Sequence, residues 1–375
     1  MPRVPIIDEE TLGRVLARYA LGGAFGALGP GGGTANANLV IQAPRGTLFV
    51  RRRNPRYASP EHVAYDHALM RHLAAKGIGG PLPIETRDGQ TAVRDGDDVF
   101  EVQHFVEGEP YDPGNLDQLR AAGEGLAAFH AALDDFAPPV PKDLPRYDSP
   151  RDIRAGFESL LPLVGRARLR PSRPGGAADQ AQQELRPPGN PARDAEDPSL
   201  TAEQRQTIEA VLAVVARLEA EFPDALYDSL AHCLIHGDYH PANVLYRGNR
   251  LVGIFDLDWV SRQPRVRDLS DGLYYFAGRR EGHLDGSDIR SLTRGLRYDI
   301  PRARLFLDAY RAHRPVAESE LCALPLVATA RWLFAKVAGM RKVKEGERVA
   351  VAIRDALAPV EWLDRHGAEL IDALV

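Results

Sequence analysis

The chain has 375 residues, of which 44% are hydrophobic and 26% are charged, and its formal net charge is −5. This length accommodates two packed domains or lobes, and the ordinary composition is typical of a soluble globular protein. The charge gives no basic field for nucleic acid, and we expect no membrane span because no long apolar run is present. The N-terminus has no apolar signal core, and two cysteines, Cys233 and Cys322, are too few for a disulfide framework. We therefore expect a cytoplasmic protein.

The N-terminal region alternates between a helix, glycine-rich turns and strands. Acidic residues followed by apolar positions at helical spacing predict a helix over residues 8–20. The sequence G-P-G-G-G-T-A-N-A-N-L-V-I-Q predicts a glycine-rich turn and a strand, and residues 47–50 form the next strand. Glycines let backbone N–H groups approach phosphate oxygens closely. Gly31, Gly32 and Gly33 are therefore candidates for a phosphate-binding turn, with a plain flexible loop as the alternative.

Three consecutive arginines, Arg51 to Arg53, follow the second strand. Because strand side chains alternate between two faces, we expect one of the three, Arg51, to face inward. The alternative is a solvated run at the edge of the sheet. A helix is predicted from Pro60, with Ser59 as its N-cap and Gly77 as its stop.

Further along, one strand, two helices and one low-complexity segment are predicted. Residues 97–106 alternate into a strand that breaks at E-G-E-P, and an Ala-rich run near residues 115–133 predicts a helix. Residues 170–198 are rich in proline and polar residues and contain almost no aliphatic or aromatic ones. Such a segment cannot bury enough apolar surface to order itself, so we expect a disordered insertion. The region from Thr201 to Glu221 has the pattern of a capped amphipathic helix.

The stretch from Leu234 to Trp259 concentrates polar residues between two short apolar runs. It begins L-I-H-G-D-Y-H-P-A-N-V-L-Y and, after a short turn, continues L-V-G-I-F-D-L-D-W. The runs 231–235 and 251–255 predict short strands. The polar residues of the loop and of the end of the second strand are His236, Asp238, His240, Asn243, Asp256 and Asp258. Strands that deliver carboxylates to one end are a common way of building a polar site.

The order and spacing of Asp238, Asn243 and Asp256 fit phosphoryl transfer. In that chemistry one Asp accepts the proton of the attacking hydroxyl, and an Asn five positions later and an Asp on a neighbouring strand hold Mg²⁺. Mg²⁺ prefers hard oxygen ligands and tolerates few from the protein. A metal-dependent hydrolase that uses His236, Asp238 and His240 is the alternative, since imidazoles suit zinc.

These motifs resemble those of the superfamily that contains aminoglycoside phosphotransferases, choline kinases and type II homoserine kinases. Its loop is H-G-D-x-x-x-x-N, followed by a strand that ends in D-x-D or D-x-G. The resemblance extends to Asp268, which would begin a helix and tie back onto the loop. It implies a protein-kinase-like α+β fold of two lobes. The small nucleotide-binding lobe, an antiparallel sheet with one helix, would span residues 1–105, and the mainly helical catalytic and substrate lobe would span 106–375.

The resemblance also implies an activity, which is ATP- and Mg²⁺-dependent transfer of the γ-phosphoryl group to a hydroxyl of a small molecule. Amino alcohols, homoserine-like compounds, amino sugars and aminoglycosides are the candidate acceptors, and fold-level analogy cannot choose among them. Asp238 would be the catalytic base and His236 would position its loop. Asn243 and Asp256 would be metal ligands, with Asp258 as a further carboxylate at the metal or just behind it.

The resemblance assigns a nucleotide site to the small lobe. Arg51 occupies the place where kinases carry a Lys for the α- and β-phosphates. Asp66, or alternatively Glu61, would pair with it from the helix that begins at Pro60. Adenine would meet backbone groups of residues 103–106. The implied nucleotide-binding residues are Gly31, Gly32, Gly33, Asn36, Arg51, Asp66, Gln103 and Phe105.

Two rivals and one charged cluster complete the expectations. A serine/threonine protein kinase is less favoured because no D-F-G…A-P-E segment follows Asp256. A metal-dependent hydrolase leaves the glycine-rich hairpin and Arg51 unexplained. The C-terminal helices carry a basic cluster that predicts a cationic surface patch, with an anion-accepting substrate pocket as the alternative. Its members are Arg331, Lys336, Arg341, Lys342, Lys344 and Arg348.

Overall fold

The computed structural model describes most of the chain outside one long central segment. The described residues are 7–31, 36–142, 144, 146, 148–161, 200–280, 285–286 and 288–375. The disordered insertion expected at 170–198 and two of the predicted phosphate-binding glycines, Gly32 and Gly33, lie outside these residues.

The N-terminal part forms a five-stranded antiparallel sheet, in the order β1-β2-β3-β5-β4. Its elements are α1 (Glu9–Leu16), β1 (Gly26–Gly31), β2 (Ala37–Ala43), β3 (Gly46–Arg52), α2 (Pro60–Ala75), β4 (Val93–Asp95) and β5 (Asp98–His104). The predicted start and stop of α2 are both confirmed. Ser59 Oγ accepts a hydrogen bond from the backbone N–H of His62 at 3.2 Å, and Gly77 has a φ of 82°.

The two faces of this sheet have different chemistry because side chains alternate along each strand. One face is apolar: Val50 and Val102 pack with Leu12 and Val15 of α1 in one buried cluster. The opposite face is polar and charged, since Arg51 lies directly across from Glu101 in the β3–β5 pairing. This charged face is directed toward the rest of the chain, where the site is built.

The C-terminal part is mainly helical and surrounds two short antiparallel ribbons, β6–β9 and β7–β8. Its elements are α3 (Leu116–Ala132), α4 (Pro150–Glu158), α5 (Ala202–Glu221), α6 (Asp224–Ser229), β6 (His232–Ile235), β7 (Val244–Arg247), β8 (Arg250–Ile254), β9 (Ser261–Pro264), α7 (Val266–Tyr275), α8 (Ile289–Leu292), α9 (Ile300–Arg311), α10 (Glu318–Met340), α11 (Arg348–Ile353) and α12 (Ala358–Leu374). The capping box predicted at Thr201 is present at the start of α5. We propose that the boundary between the two lobes lies at residues 105–106, as the sequence suggests, because the sheet ends at His104.

Helix α10 passes through the centre of the helical lobe. By length and composition alone its 23 residues could cross a membrane, which the sequence reading did not anticipate, but 67% of its most apolar window is buried inside the protein. It also carries Arg331 and Lys336 in buried positions. The expected cationic surface patch is therefore wrong for these two residues. Arg341, Lys342, Lys344 and Arg348 are exposed.

Candidate active site

The catalytic loop joins the two ribbons. The predicted strands at 231–235 and 251–255 exist as β6 and β8, but each pairs with another strand, β9 and β7 respectively. The loop from His236 to Asn243 crosses from one ribbon to the other and closes with a short 3₁₀ turn at Pro241–Asn243. The polar residues at the two ends of this loop are thereby held close to both ribbons.

Asp268, near the start of α7, holds the beginning of the loop. One of its carboxylate oxygens accepts from His236 N at 2.6 Å, and the other accepts from Gly237 N at 2.8 Å. His130 Nε2 of α3 lies 3.0 Å from the same carboxylate. Burial alone would raise the pKa of Asp268, but the hydrogen bond and charge of His130 outweigh it and lower that pKa. The predicted tie between Asp268 and the loop is confirmed.

His236 links the loop to the second polar cluster. Its Nε2 lies 2.8 Å from the carbonyl oxygen of Phe255, the residue before Asp256, and its Nδ1 accepts from Asp238 N at 3.3 Å. Because an Nδ1 that accepts requires the proton on Nε2, His236 donates to Phe255. Burial lowers its pKa, which favours this neutral form. His236 therefore links Asp238 to the residue before Asp256, which is consistent with the loop-positioning role that the family resemblance implies.

Asp238 presents its carboxylate to the cleft, with 35% of the side chain exposed. Burial alone would raise its pKa, but the nearby His240 and Arg331 outweigh this effect and hold that pKa well below its usual range. Its carboxylate lies 3.5 Å from His240 Nε2, and its carbonyl accepts from Asn243 Nδ2 at 2.9 Å. The carboxylate is therefore ionised at neutral pH, as a proton acceptor must be.

The alternative zinc site does not fit this geometry. Both ring nitrogens of His236 are engaged within the protein, as just described. His240 Nδ1 accepts from Ala242 N at 3.2 Å, and its Nε2 lies 3.2 Å from Asn243 Nδ2. Zinc needs an imidazole nitrogen with a free lone pair. The histidines of this loop hold the loop together instead.

Asp256 has the features expected of a cation ligand. It has a φ of 59°, in the left-handed region that non-glycine residues seldom adopt. Burial, reinforced by the neighbouring charge of Asp258, raises its pKa to about 6. A bound divalent cation would offset the repulsion between the two carboxylates and the cost of ionising Asp256 in this environment. The environment therefore suits a divalent cation. Asn243 uses its amide nitrogen to bind the loop, which leaves the carbonyl Oδ1 as its oxygen donor.

Asp258 has a different environment from Asp256. Its Oδ2 accepts from Arg51 Nη2 at 2.6 Å and from Asn36 Nδ2 at 3.3 Å. Arg51 Nη2 also lies 3.9 Å from Asp256. The side chains of Arg51 and Asn36, predicted at the nucleotide, thus tie the sheet of the small lobe to the ribbon that carries both carboxylates. We define this contact of Asn36, Arg51 and Asp258 as the lobe clasp.

The predicted partner of Arg51 is wrong. Asp66 binds Arg53 through a short hydrogen bond and also accepts from Lys142 Nζ at 2.9 Å, whereas Glu61 is exposed. The period of two along a strand explains the error, because it places Arg51 and Arg53 on the same face. Two of the three arginines are therefore buried, where we expected one.

Glu101 was missed although it is fully buried between these arginines. It accepts from Arg53 Nη1 at 3.0 Å and lies 2.6 Å from His67 Nε2. Arg51 Nε is 3.7 Å away. The signal was available in the strand D-D-V-F-E-V-Q-H, where a carboxylate occupies one of the alternating positions of a buried strand.

A cleft of about 1240 Å³ joins these groups to the predicted adenine segment. Gln103, which bonds Glu101 at 3.0 Å, and Phe105, which is 40% exposed, both line it. Gly31 ends β1 above Phe49, where a Cβ atom would come within 2.5 Å of the Phe49 ring. Apolar residues that could face a purine also line the cleft; they include Phe49, Pro81, Val106, Leu245 and Phe255.

Two further groups lie near Asp238: Arg331, which the sequence placed only in the basic C-terminal cluster, and Asp271, which was missed. Arg331 of α10 makes two hydrogen bonds to Asp271 of α7, at 2.6 and 3.2 Å, and one to the carbonyl of Gly237 at 3.4 Å. Burial raises the pKa of Asp271 to about 6 despite this partner. Both residues lie on helices whose sequences show only ordinary amphipathic patterns, so their meeting depends on tertiary packing.

A sheet lobe and a helical lobe that flank a cleft with an ionised Asp, an Asn and a strained Asp define a kinase-like phosphotransferase. The comparison with protein families agrees: the model of the phosphotransferase enzyme family matches residues 27–316. The chain belongs to this family. It is therefore an enzyme that transfers phosphoryl groups to hydroxyl groups, and the predicted family and α+β fold are confirmed.

Curated relatives support the same class, and solved structures share the fold. The homoserine kinase of Allorhizobium ampelinum is 25% identical over 346 residues, covering 92% of this chain and 89% of the relative. That of Parvibaculum lavamentivorans is 26% identical over 328 residues, covering 86% and 82%. The fold is similar to that of the amicoumacin kinase hAmiN, with a TM-score of 0.61, 14% identity and coverage of 97% and 93%. The fold is also similar to that of a microcompartment-associated aminopropanol kinase. That structure has a TM-score of 0.60 and 16% identity, and the match covers 98% of this chain and 100% of that one.

Proposed function

We propose that this small-molecule phosphotransferase uses ATP and Mg²⁺ and phosphorylates a hydroxyl of a short amino alcohol or amino acid. One observation carries the proposal. The Asp268-anchored loop holds an ionised Asp238 in the same cleft as Asn243 and Asp256, and this cleft also contains the hinge-like segment after β5. A proton acceptor, two hard-oxygen donors and an apolar slot are the parts that phosphoryl transfer to an alcohol requires.

The proposed step is a single in-line displacement. The acceptor oxygen forms a bond to the γ-phosphorus, the bond from that phosphorus to the β–γ bridging oxygen breaks, and the hydroxyl proton passes to Asp238. Asn243 and Asp256 would hold Mg²⁺, which when bound neutralises charge on the nucleotide phosphates. Arg51 would contribute its guanidinium to the phosphates, for which its planar fork is suited.

Homoserine is the first acceptor to test. The curated relatives named homoserine kinase match over most of both chains, whereas the solved structures of similar fold carry names for several other acceptors. Homoserine therefore belongs in a panel with 3-aminopropan-1-ol, choline and an aminoglycoside. Release of ADP with Mg²⁺ and ATP measures turnover of each compound.

Substitution of Asp238→Asn tests the chemical role assigned to this residue. We expect kcat for the best acceptor to fall about 100- to 10,000-fold, because the proton acceptor is lost while the side chain keeps its size. The Kd for ATP, measured by calorimetry, should change little. Asp308→Asn removes the same charge from the exposed face of α9 and is the matched control. A kcat for Asp238→Asn within a few-fold of the wild type would refute Asp238 as the base.

A further inference from the structure

The helical side of the cleft carries more positive than negative side chains. Its acidic lining residues, apart from the Asp256–Asp258 pair, are Asp238 and Asp285. Its basic ones are Arg279, Arg280, Arg302, Arg331 and Lys342. A pocket for a polycation such as an aminoglycoside would need the opposite balance, since a cation is bound by carboxylates or by carbonyl and aromatic groups. The charge of this side of the cleft therefore favours an acceptor with a negative group.

Three of these arginines already have partners in the protein. Arg279 Nε binds Asp299 at 2.8 Å, and Arg331 binds Asp271 as described above. Arg302 donates to three oxygens, the carbonyls of Ala277 and Phe276 and the hydroxyl of Tyr111, at 2.9–3.0 Å. These contacts hold the walls of the cleft in place and leave these guanidiniums little capacity for a ligand.

Arg280 has a different environment. Its Nη2 is buried and has no hydrogen-bond partner among the residues that the structure describes. Its electrostatic neighbours are the hydroxyls of Tyr275 and Tyr274 and the like charge of Arg294, and burial lowers its pKa. A half-buried guanidinium beside another cation is in an unfavourable state, which an anion would relieve.

The backbone holds Arg280 in place, and its side chain lines the same cleft as Asp238. The preceding residue, Arg279, exchanges two backbone hydrogen bonds with Arg297, at 2.7 and 2.9 Å. Tyr275 lines the same cleft as Asp238 and Arg280, and its ring lies 5.7 Å from that of His240. Burial raises the pKa of the Tyr275 hydroxyl, the charge of Asp238 also raises it, and that of Arg280 lowers it. Arg280 is thus placed for a group on the same small molecule whose hydroxyl meets Asp238.

We propose that Arg280 binds an anionic group of the acceptor, a carboxylate in the first instance, and so selects hydroxyl compounds that carry one. This inference rests on the proposed function and narrows its substrate class. A guanidinium offers two parallel donors to a carboxylate, which gives geometric selectivity as well as charge. Ile289, Leu292 and Ala338 line the same cleft and would contact the carbon chain between the two ends of the acceptor.

The test compares matched alcohols with the purified full-length enzyme. Homoserine and 4-hydroxybutanoate carry a carboxylate, whereas 3-aminopropan-1-ol and butane-1,4-diol do not. We expect ADP release with the carboxylate-bearing alcohols. In Arg280→Gln their KM should rise about 10- to 100-fold, the effect of losing one charged hydrogen bond. The KM for ATP should stay unchanged, and Arg280→Lys should recover part of the loss. Arg304→Gln removes an exposed positive charge on α9, outside the cleft lining, and is the control, with a change below about twofold.

Three outcomes overturn the inference while the proposed function stands. In the first, no carboxylate-bearing alcohol is phosphorylated although ATP binds. In the second, the alcohols without a carboxylate are the better substrates, and in the third, Arg280→Gln raises the KM of all four alcohols equally. The proposed function itself fails in a different way. In that case calorimetry detects no Mg²⁺-dependent ATP binding to the wild type, and Asp238→Asn leaves every activity unchanged.

Discussion

At the scale of single residues, the proposed base Asp238 depends on a cation that lies almost a hundred positions further along the chain. Arg331 reaches from α10 to the carbonyl of Gly237, next to Asp238, and is itself oriented by two hydrogen bonds to Asp271. Its charge is one of the causes that keep the pKa of Asp238 low. Arg331 is thus a positioning residue that acts on the base through the loop.

Substitution of Arg331→Met should separate this role from general stability. Without the guanidinium the pKa of Asp238 rises, so the acid limb of the pH profile of kcat/KM should move to higher pH. A loop displaced by this loss would also lower kcat/KM about 10- to 100-fold at pH 7. Arg341→Met, at the exposed end of the same helix, is the control. An unshifted acid limb with a lower thermal midpoint alone would indicate a purely structural role.

At the scale of elements, β3 and α2 are joined by charges in a way that differs from the expected pairing. Arg53 binds Asp66 on α2 and Glu101 on β5, and Lys142 binds Asp66 from the segment that follows α3. This arrangement leaves Arg51 in the lining of the cleft, within the lobe clasp. The helix is therefore fixed to the sheet by one arginine, and another arginine faces the site.

Substitution of Asp66→Asn should destabilise the small lobe strongly. It leaves Arg53 and Lys142 buried with less compensation, and breaking a buried pair typically costs about 3–5 kcal/mol. Denaturant unfolding measures this loss, with Glu61→Gln as the control, because Glu61 is exposed on the same helix. For Glu61→Gln we expect a change within about 0.5 kcal/mol. Equal effects of the two substitutions would contradict the assignment of Asp66 as the structural partner.

Sequence reasoning succeeded where chemistry is local and failed where partners come from distant elements. The H-G-D loop, Asn243 and the two carboxylates follow one another within a few residues, so spacing alone predicted their grouping. Caps such as Ser59 are equally local, because the hydrogen bond is made three residues away. By contrast, the partners of Asp66 and Arg331 are fixed by strand register and by helix packing, which no spacing in the chain reveals. Arg280 was missed for the same reason. Its Nη2 lacks a hydrogen-bond partner among the described residues because of how distant elements pack, and no spacing in the chain reveals this.

At the scale of the whole molecule, carboxylates whose pKa values the fold displaces in opposite directions make opposite contributions to stability as pH changes. Arg53, His67 and Arg51 outweigh burial and hold the pKa of Glu101 well below 4.5, so its contribution is present above pH 4.5 and is lost as pH falls. Burial raises the pKa values of Asp256 and Asp271 to about 6 from 3.8, so stability from these two falls as pH rises from 3.8 to 6.

Substitution of Glu101→Gln isolates the first of these contributions. The free energy of unfolding of the wild type should drop as pH falls below 4.5, and the variant should show a shallower drop because its residue 101 cannot titrate. At pH 7 the variant should be less stable by about 3–5 kcal/mol, since Arg53 loses a buried partner. Thermal or denaturant unfolding between pH 3 and 8 checks both. Parallel profiles for the two proteins would show that Glu101 does not contribute to acid sensitivity.

The backbone at Asp256 has a consequence for how such a chain evolves. A left-handed conformation at a residue with a Cβ atom costs on the order of 1 kcal/mol, which glycine would not incur. Natural selection for stability alone would therefore favour glycine at position 256, whereas the proposed role as a cation ligand would keep the carboxylate there. Stability and activity therefore make opposite demands on this position. A lineage that no longer needs the activity would be expected to lose this aspartate before it loses the fold.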